Sequence, residues 1–551
     1  MSEHQHIKSS TNNNTKTSII TRIVKLFTIG SLSPMLIIAA IMAGAAALIL
    51  TPREEDPQII VPVMDVMIEF PGASAEEVEK LVTTPLESLL KQIEGVEYVY
   101  SAASSGMGMV TVRYYVGEEL ENSLVKTWSK VMSNQDKMTP GITRWIVKPV
   151  NIDDVPIVLL NLSSASSNQS EMSLRRTADE LIARLRDVDN VANSWVVGGA
   201  RRQITVYPDP AALVAHGTSI IEIIQAIGSA NINVDAGNFA SNNQQVFLEA
   251  GPHYSTPKEV GATVIKSAGG RLVYLRDVAR ILDGGEDKNT YTRIGFGPAS
   301  EKMRLLDINQ KITGQAGKEW PTVTLAIAKR KGSNAVQVAE DVIAKAKSFQ
   351  GTIVPNDITM SISRDNGETA NNKVNELVEH LMFAILIIVI LMIFSLGSRE
   401  SLIVSIAVPV TFAFTLLLDL LFGYTINRVT LFALILSLGL LVDDPIVNVE
   451  NIHRHYLLRN EPPLQALLSA IQEVLPPTIV ATFAVILTFL PMFFITGMMG
   501  PYMAPMAFNV PVAMLISLIV SLTITPWASY LLLKRHDHDD EQGFDLPEFK
   551  S

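Results

Sequence analysis

The chain of 551 residues contains no cysteine, which excludes disulfide bonds and metal sites built from thiolates. It also lacks a phosphate-binding loop of the type GxxxxGK followed by Ser or Thr, so we do not expect ATP to supply its energy. An ion gradient remains as an energy source. The 44 basic residues are outnumbered by 55 acidic ones, and the net charge of −11 argues against a nucleic-acid partner.

Charged residues are scarce, at 18%, whereas 48% of the residues are hydrophobic and the mean hydropathy is +0.26. This combination predicts a membrane protein that carries a large extramembrane part. Apolar segments close to the ~20 residues that a bilayer requires support that interpretation. We number them spans one to six, at residues 34–50, 374–396, 401–422, 428–451, 476–495 and 505–533.

The distribution of basic residues predicts the orientation of these spans. The first span is long and no clear small-residue cleavage site ends it, so we expect a retained anchor and not a signal peptide. The positive-inside rule then places both termini in the cytoplasm and residues 51–373 outside. The residues that favour this orientation are Lys8, Lys16, Arg22, Lys25, Arg399, His453, Arg454, His455, Arg459, Lys534 and Arg535.

The outer block reads as repeated strand–helix–strand units. VMDVMIEF, the helix that starts at GASAEEVEKL, and VTVRYYV form the first unit. IVLLNLSS and TVTLAIAK begin two more units of the same kind, which predicts small α+β sandwiches with helices on one face of each sheet. The section from residue 201 does not follow this strand–helix–strand order and is predicted to be an inserted domain. Its stretch INVDAGNFASNNQQVFLEAG has the composition of a projecting hairpin.

Two adjacent carboxyl groups, Asp443 and Asp444, interrupt the fourth span, and charge at this depth is costly. Two carboxyls this close in a low dielectric should not both ionise readily, so we expect the pair to exchange a proton near neutral pH. On a helix, Asp444, Asn448 and Asn451 share one stripe, whereas Asp443, Val447 and Glu450 share the next. Pro445 removes a backbone N–H and leaves the carbonyl of Leu441 without its helical donor, and Gly439 would let a neighbouring helix approach closely.

Two other interpretations of the pair are open. It could serve as polar glue between helices, although a single Asn or Ser would do this at lower cost. An intramembrane aspartyl protease would need two carboxyls that face each other across a shared water, and neighbours on one helix point apart. Proton exchange is therefore the interpretation that we favour.

The segment GLLVDDPIVNVENIHRHY resembles the fourth-span signature of the resistance–nodulation–division (RND) efflux permeases. EFPGASAEEVEKLVTTPLE resembles the first porter subdomain of that family, and ITVYPDPAALVAHGTS and VYLRDVARI resemble the two ends of its docking subdomain. SIAVPVTFAFTLLLDLLFGYTINRVTLFALILSLGLLVDD is similar to spans three and four. The likeness, closest to pumps of the acriflavine-resistance type, covers nearly the whole chain in the family's order.

This resemblance implies a six-span α-helical membrane bundle with a large periplasmic α+β part, made of ferredoxin-like βαβ porter subdomains and an inserted docking subdomain. It also implies a division of the chain, which is as follows: cytoplasmic tail and surface helix 1–33, span one 34–50, porter subdomain one 51–153, porter subdomain two in two parts at 154–200 and 290–373, docking subdomain 201–289, spans two to four 374–396, 401–422 and 428–451, cytoplasmic connector 461–475, spans five and six 476–495 and 505–533, and cytoplasmic tail 534–551.

The function that the resemblance implies is proton/substrate antiport across the bacterial inner membrane, without a cofactor and driven by the proton-motive force. Asp443 and Asp444 match the family's proton-translocating pair. The implied partners are the lipid bilayer, a small-molecule substrate, a periplasmic adaptor, an outer-membrane channel and two further copies in a homotrimer. Asn448, Glu450, Asn451 and Asp419 are predicted accessories to the proton relay, although Asp419 near the outer end of its span is expected to be hydrated.

The chain departs from the family in length, because members usually carry a second half that repeats the first. We expect this chain to correspond to the N-terminal half, with a second-half polypeptide supplying basic and hydroxyl partners for the aspartates. A non-transporting scaffold, an inactive truncated pump that retains the docking surface, and half of a metal-ion exporter remain as alternatives. Metal-ligand residue types occur at His4, His6 and 536–542, where a solvated tail is the expected role, and no metal site is predicted.

Overall fold

A computed structural model describes residues 19–57, 59–150, 154–164, 169–241, 243–251, 253–268, 271–288, 290–297, 317, 319–458 and 461–533. The predictions for His4, His6, Lys8 and Lys16, for Arg459, and for the tail 534–551 lie outside the described residues.

The helices are α1 (Ile19–Ile29), α2 (Leu32–Leu50), α3 (Ala75–Val78), α4 (Thr84–Leu90), α5 (Leu120–Met132), α6 (Glu171–Leu185), α7 (Pro210–His216), α8 (Ile220–Ala230), α9 (Pro257–Gly261), α10 (Leu275–Val278), α11 (Ala335–Ser348), α12 (Asn366–Ser395), α13 (Ser398–Phe422), α14 (Arg428–Leu458), α15 (Pro463–Phe489) and α16 (Met499–Leu532). The strands are β1 (Val63–Glu69), β2 (Val96–Ser104), β3 (Met107–Tyr114), β4 (Arg144–Val150), β5 (Val158–Ser163), β6 (Val191–Val197), β7 (Arg202–Pro208), β8 (Val234–Ser241), β9 (Gln244–Ala250), β10 (Val264–Ala268), β11 (Arg271–Tyr274), β12 (Ala279–Gly285), β13 (Arg293–Gly295), β14 (Glu319–Lys329) and β15 (Thr359–Asp365).

The chain forms two compact units. One contains the residues up to Val155, Lys329–Ala339 and the segment from Asn366 onward, and the other contains Pro156–Ala328 and Glu340–Asp365. In the described part of the chain, six helices are long and apolar enough to cross a membrane: α2, α12, α13, α14, α15 with its 3-10 extension, and α16. The pair α7 and α8 passes the same test only when counted together, and the two helices meet at 85°.

The extramembrane part of the first unit is an antiparallel sheet in the order β2-β3-β1-β4 with helices packed against it. The period-2 pattern of β1 buries Met64, Val66 and Ile68 against helical residues such as Leu90. Helix α3 begins at a capping box, in which the Ser74 hydroxyl accepts from the Glu77 N–H and the Glu77 carboxylate accepts from the Ser74 N–H. That backbone donor holds the pKa of Glu77 below its usual range. The mixed α/β architecture agrees with the prediction.

The second unit contains a sheet in the order β13-β14-β5-β15, with β6 beside β14. Strands from the second and third predicted strand–helix–strand units therefore share one sheet. The part of the chain between β6 and β13 contains β7 paired with β12, the hairpin β8–β9, and β10 paired with β11. The hairpin predicted from the Gly- and Asn-rich stretch is present: its two antiparallel strands pair from Val234 with Ala250 to Ser241 with Gln244.

The apolar helices of the first unit pack around α14. Helices α13, α14 and α16 are the most covered, whereas α2, α12 and α15 leave most of their side chains uncovered by the rest of the chain. Small residues allow close approach: a Cβ atom added to Gly44 of α2 would lie 2.5 Å from the Cβ of Ala413 in α13. The amphipathic segment that precedes the first span forms the separate helix α1, which buries Val24 in the same bundle.

The helices are longer than the predicted spans. α12 begins at Asn366 and α14 continues to Leu458. The connector expected at 461–475 is continuous with the fifth span in α15, which contains Pro476 and Pro477 in its interior. Prolines are tolerated inside membrane helices where the freed carbonyls find other donors, so these two did not mark a boundary.

Candidate functional site

The two polar stripes predicted for α14 lie in different environments. Asp444, Asn448 and Asn451 are buried among the helices, whereas Asp443 and Glu450 lie on an uncovered face. The predicted separation into two stripes is thus correct, and only one of the two is covered by the described part of the chain.

Asp444 is 6% exposed, and its carboxyl group contacts the hydroxyl of Thr482 on α15. The distances from Thr482 Oγ1 are 3.3 Å to Oδ1 and 3.2 Å to Oδ2. The same hydroxyl lies 2.9 Å from the carbonyl oxygen of Thr478 in its own helix. Among the described residues no basic side chain lies within ion-pairing distance of Asp444, so a hydroxyl is its polar partner here.

This hydroxyl suits a carboxyl in either protonation state. A hydroxyl has one donor and two acceptor positions. If Asp444 is ionised, the Thr482 O–H donates to the carboxylate. If Asp444 is protonated, its O–H donates to Thr482 Oγ1, and the Thr482 O–H turns to the carbonyl of Thr478. The arrangement can therefore bind and release a proton without leaving a polar group unpaired.

Pro445 has the effect on the backbone that the sequence predicts. Because Pro445 has no N–H, the carbonyl of Leu441 lacks a helical donor. The Oγ of Ser517 on α16 donates to that carbonyl at 2.8 Å. Helix α14 runs on through Pro445 as one element, and α16 is held against it at the level of the carboxyl pair.

Asn448 and Asn451 join α14 to its neighbours. Asn448 Nδ2 donates to the carbonyl of Ser521 on α16 at 3.1 Å, and Asn451 Nδ2 donates to the carbonyl of Ala470 on α15 at 2.8 Å. Both amides therefore bond to main-chain carbonyls on other helices. These contacts position Asp444 between α15 and α16.

An ion-pair network lies near the C-terminal end of α14. The carboxylate of Glu473 on α15 accepts from Arg454 at 2.7 and 2.8 Å and lies 2.9 Å from His455 Nε2. His453 Nδ1 lies 2.9 Å from Glu400 at the start of α13. Three of the residues that the positive-inside rule used, His453, Arg454 and His455, are thus paired with acids on neighbouring helices.

A continuous stripe of α14 remains uncovered by the described residues. We call it the open face. Asp443 and Glu450 form no hydrogen bond or ion pair with the described residues, and a Cβ added to Gly439 would meet open space. The close helix expected at Gly439 is therefore not among the described helices. The open face consists of Phe432, Leu436, Gly439, Asp443, Val447 and Glu450.

The expectation that Asp419 is hydrated is wrong. It is 1% exposed, because the last turn of α13 packs against α16 and not toward solvent. Its polar neighbour is the buried side chain of Asn509. Asp444 contacts α15 instead, so the structure does not bring Asp419 and Asp444 into contact.

Thr482 and Ser517 are partners that the sequence analysis missed. Each is one of several hydroxyl residues in a long, mainly apolar helix, and Thr478 with Thr482 shows the i, i+4 spacing of one face. That spacing was visible in the sequence, but the helix that it faces was not. Among the described residues, no group of three or more His, Asp or Glu side chains is arranged to hold a metal ion.

Comparison with known proteins identifies the family of the chain. Residues 30–550 match the sequence model of the AcrB/AcrD/AcrF family. The chain is 29% identical over 516 residues to multidrug resistance protein MdtC of Salmonella arizonae, and 28% identical over 515 residues to the protein of that name from Enterobacter sp. strain 638. Each alignment covers 93% of this chain and 48% of the relative. The chain thus spans about half the length of the curated relatives it matches.

Proposed function

The chain belongs to the AcrB/AcrD/AcrF family of RND efflux permeases, and from that premise we propose that it forms one half of a proton-driven pump. In this proposal Asp443 and Asp444 bind protons that move down the gradient, and the energy exports drugs or other amphiphiles. The chain is a transporter component and not an enzyme. The observation that carries the proposal is the buried Asp444 carboxyl beside a hydroxyl that can pair with either of its protonation states.

The energy available is sufficient for such a role. One charge that crosses 100 mV is worth about 2.3 kcal/mol, which biases a two-state equilibrium by tens of fold. Protonation of Asp444 changes the donor in its hydrogen bond with Thr482, from the hydroxyl on α15 to the carboxyl on α14. We propose that this change shifts the packing of α14 against α15 and α16, and that the shift reaches the porter subdomains and opens or closes a substrate path.

The open face of α14 supports a second element of the proposal. A carboxyl on the bare side of an apolar helix is costly in lipid, so Asp443 requires covering helices that bring a basic or hydroxyl partner. The relatives are about twice as long as this chain. We propose that the chain corresponds to their N-terminal half and that a second half covers the open face, either as further sequence or as a separate polypeptide.

The remaining partners and the location are proposed on the strength of the family. We infer an inner-membrane protein with both termini in the cytoplasm and the β-rich block in the periplasm. It would assemble as a homotrimer with a periplasmic adaptor and an outer-membrane channel. The proton-motive force would be its only energy source, with no cofactor.

The test is substrate-stimulated proton flux after reconstitution of the chain in vesicles with a candidate second half. Asp443→Asn and Asp444→Asn should each abolish flux, because an amide cannot carry the proton. Glu76→Gln is the matched control, since it makes the same carboxyl-to-amide change on the exposed surface of α3, and it should retain flux.

Two results would overturn the proposal. Flux that survives the combined Asp443→Asn and Asp444→Asn variant would remove the pair from the mechanism. A correctly assembled wild-type complex that shows no substrate-stimulated flux would favour the non-transporting scaffold that retains the docking surface.

A further inference from the structure

Asp419 is a buried carboxyl that the mechanism above does not use. It lies in the last turn of α13, which ends at Phe422. The main-chain carbonyl of Asp419 accepts from the N–H of Tyr424 at 2.9 Å. The side chain is 1% exposed, and the facing Asn509 of α16 is 0% exposed. Both polar groups are therefore removed from water and must be satisfied by the protein or by a ligand.

Asp419 has no basic partner among the residues that the structure describes. Helices α2 and α16, which both contact α13, contain no Asp, Glu, Lys, Arg or His in their sequences. On α14 the nearest cation along the outer half is Arg428, which pairs with Asp56 and bonds to the Tyr502 hydroxyl. The charged side chains at the same end of α12 are all exposed, and they are Glu368, Lys373, Glu376, Glu379 and His380.

Tyr424 is the titratable group that adjoins the carboxyl. A phenol is neutral at physiological pH and supplies no positive charge. An ionised Asp419 would thus be a buried anion without a counter-charge among the described residues. Burial of that kind is costly, whereas a neutral carboxylic acid can be buried at the cost of an ordinary polar group.

The hydrogen-bond pattern indicates one missing hydrogen. Asp419 Oδ1 and Asn509 Oδ1 are both buried, and neither has a hydrogen-bond partner among the described residues. The orientation of the amide is fixed, because Asn509 Nδ2 donates to the carbonyl of Pro505 at 2.9 Å. Each of the two neighbouring side chains therefore carries one buried acceptor oxygen without a donor among the described residues. A proton on the Asp419 carboxyl supplies that donor, because its O–H can bond to Asn509 Oδ1.

A metal cation fits this place less well than a proton. Hard cations in proteins bind a shell of about six or more oxygens. The described residues leave only two unpaired acceptor atoms here, Asp419 Oδ1 and Asn509 Oδ1. One hydrogen shared between two oxygens matches that number.

We propose that Asp419, held against Asn509, is a second proton-binding site of the membrane part. When it loads, an O–H bond forms on the Asp419 carboxylate with a proton from the water outside, and a hydrogen bond to Asn509 Oδ1 forms with it. Release breaks that O–H bond and returns the proton. The role of the site in pumping rests on the proposed function, but its occupancy by a proton does not.

The position of Asp419 along the bundle suits a proton site that is reached from outside before the Asp443–Asp444 pair. On α16 the Asn509 level is eight residues from Ser517, or about 12 Å at 1.5 Å per residue, and Ser517 bonds to the carbonyl of Leu441 beside the pair. Two further buried hydroxyls, Thr415 on α13 and Ser437 on α14, lie between these levels along their helices. The site would therefore hold protons that arrive from the outer side.

The experiment is infrared difference spectroscopy of the full chain in vesicles, in a background that carries Asp443→Asn and Asp444→Asn. We expect a carbonyl band of a protonated carboxyl that responds to pH and that disappears when Asp419→Asn is added. Asn509→Leu removes the acceptor and should move the band to higher frequency, as for a carboxylic acid without a hydrogen bond. Thr411→Val should leave it unchanged, because the buried Thr411 lies eight residues before Asp419 on α13 and its hydroxyl bonds to the carbonyl of Ala407 in the same helix.

The background variant separates this proposal from the proposed function, because the band is read without the Asp443–Asp444 pair. A spectrum without a protonated-carboxyl band sensitive to Asp419→Asn would overturn the proposal. So would a band that a saturating concentration of sodium removes at constant pH, since the site would then be a sodium site. Asn is close to Asp in shape, so we expect Asp419→Asn to keep the melting temperature of the background variant. An unchanged melting temperature would show that the band is lost because the carboxyl is gone and not because the protein unfolds.

Discussion

At the residue scale, the Thr482 hydroxyl beside Asp444 favours proton exchange over polar glue as the proposed role of that carboxyl. A residue that only joins helices needs one fixed hydrogen bond, as Asn448 makes to the carbonyl of Ser521. Asp444 instead faces a hydroxyl that can reverse its donor and acceptor roles. Neither carboxyl group nor hydroxyl is left unpaired in either state, which lowers the cost of the exchange.

Thr482→Val tests that role, since valine keeps the shape of threonine and removes the hydroxyl. A hydrogen bond to a charged group contributes about 1.5–3 kcal/mol. The neutral acid keeps a weaker hydrogen bond to the same hydroxyl, of about 0.5–1.5 kcal/mol, so only the difference between the two counts. Because the carboxylate loses more than the acid, Thr482→Val should lower the proton concentration that gives half-maximal flux in the complete permease by about tenfold. The measurement is the pH profile of substrate-stimulated proton flux.

Thr478→Val is the matched control for this prediction. Its hydroxyl lies one turn earlier on α15 and bonds to the carbonyl of Val474 in its own helix at 2.8 Å. We expect its pH profile to match that of the wild-type chain. Equal shifts in the two variants would mean that the hydroxyl of Thr482 acts through helix packing and not through Asp444.

At the element scale, the pairing of α14 with α16 depends on a main-chain group that proline exposes. Pro445 leaves the carbonyl of Leu441 without a helical donor, and Ser517 occupies it. The pairing is therefore specified by two residues 72 positions apart in the chain, which no local pattern connects. It fixes the height of α16 relative to the carboxyl pair.

Ser517→Ala should lower the free energy of unfolding by about 1–3 kcal/mol, because a buried carbonyl becomes unsatisfied. In a Pro445→Ala background the same change should cost much less, since residue 445 then has an N–H for Leu441. The measurement is a double-mutant cycle on the free energy of unfolding in mixed detergent micelles.

Ser521→Ala controls for loss of a hydroxyl from α16, because Ser521 Oγ bonds to the carbonyl of Leu518 within the same helix. We expect a small effect that does not depend on residue 445. An equal cost of Ser517→Ala in both backgrounds would show that the Leu441 carbonyl is not the group that Ser517 stabilises.

At the scale of the whole molecule, the described bundle covers one side of α14 and leaves the open face bare. That face combines apolar residues with Asp443 and with a glycine that no neighbour fills. A helix that packs closely against it would remove Asp443 from lipid, which is the strongest physical reason to expect covering helices.

Glycine substitutions on two faces test this interpretation. Gly439→Leu should leave the free energy of unfolding of the chain within about 1 kcal/mol of its starting value, since its added atoms meet open space. It should nevertheless reduce co-purification with a second-half polypeptide. Gly44→Leu should destabilise the chain by about 1–3 kcal/mol or more, because Ala413 occupies the space.

Association with the second half is the deciding measurement for the open face. Undiminished co-purification of Gly439→Leu would show that the covering helices contact another surface. A large loss of stability in Gly439→Leu without any partner would contradict the open environment of that glycine.

The sequence determined the elements and their chemistry. Long apolar runs specify membrane helices whatever they pack against, because the bilayer demands internal hydrogen bonds over a fixed thickness. Alternation specified β1, the 3.6-residue period separated the two stripes of α14, and proline chemistry identified the carbonyl of Leu441 as a group in need of a donor. These properties depend on neighbours along the chain.

Tertiary packing decided which of these groups are satisfied and by what. Asp419 is buried only because α16 lies across the end of α13, Asp444 meets Thr482 only because α15 lies beside α14, and Asp443 remains bare because no described helix covers it. Solvent exposure and hydrogen bonding between distant residues are properties of the assembled bundle. Sequence periodicity reports which face a side chain occupies, but not what stands opposite that face.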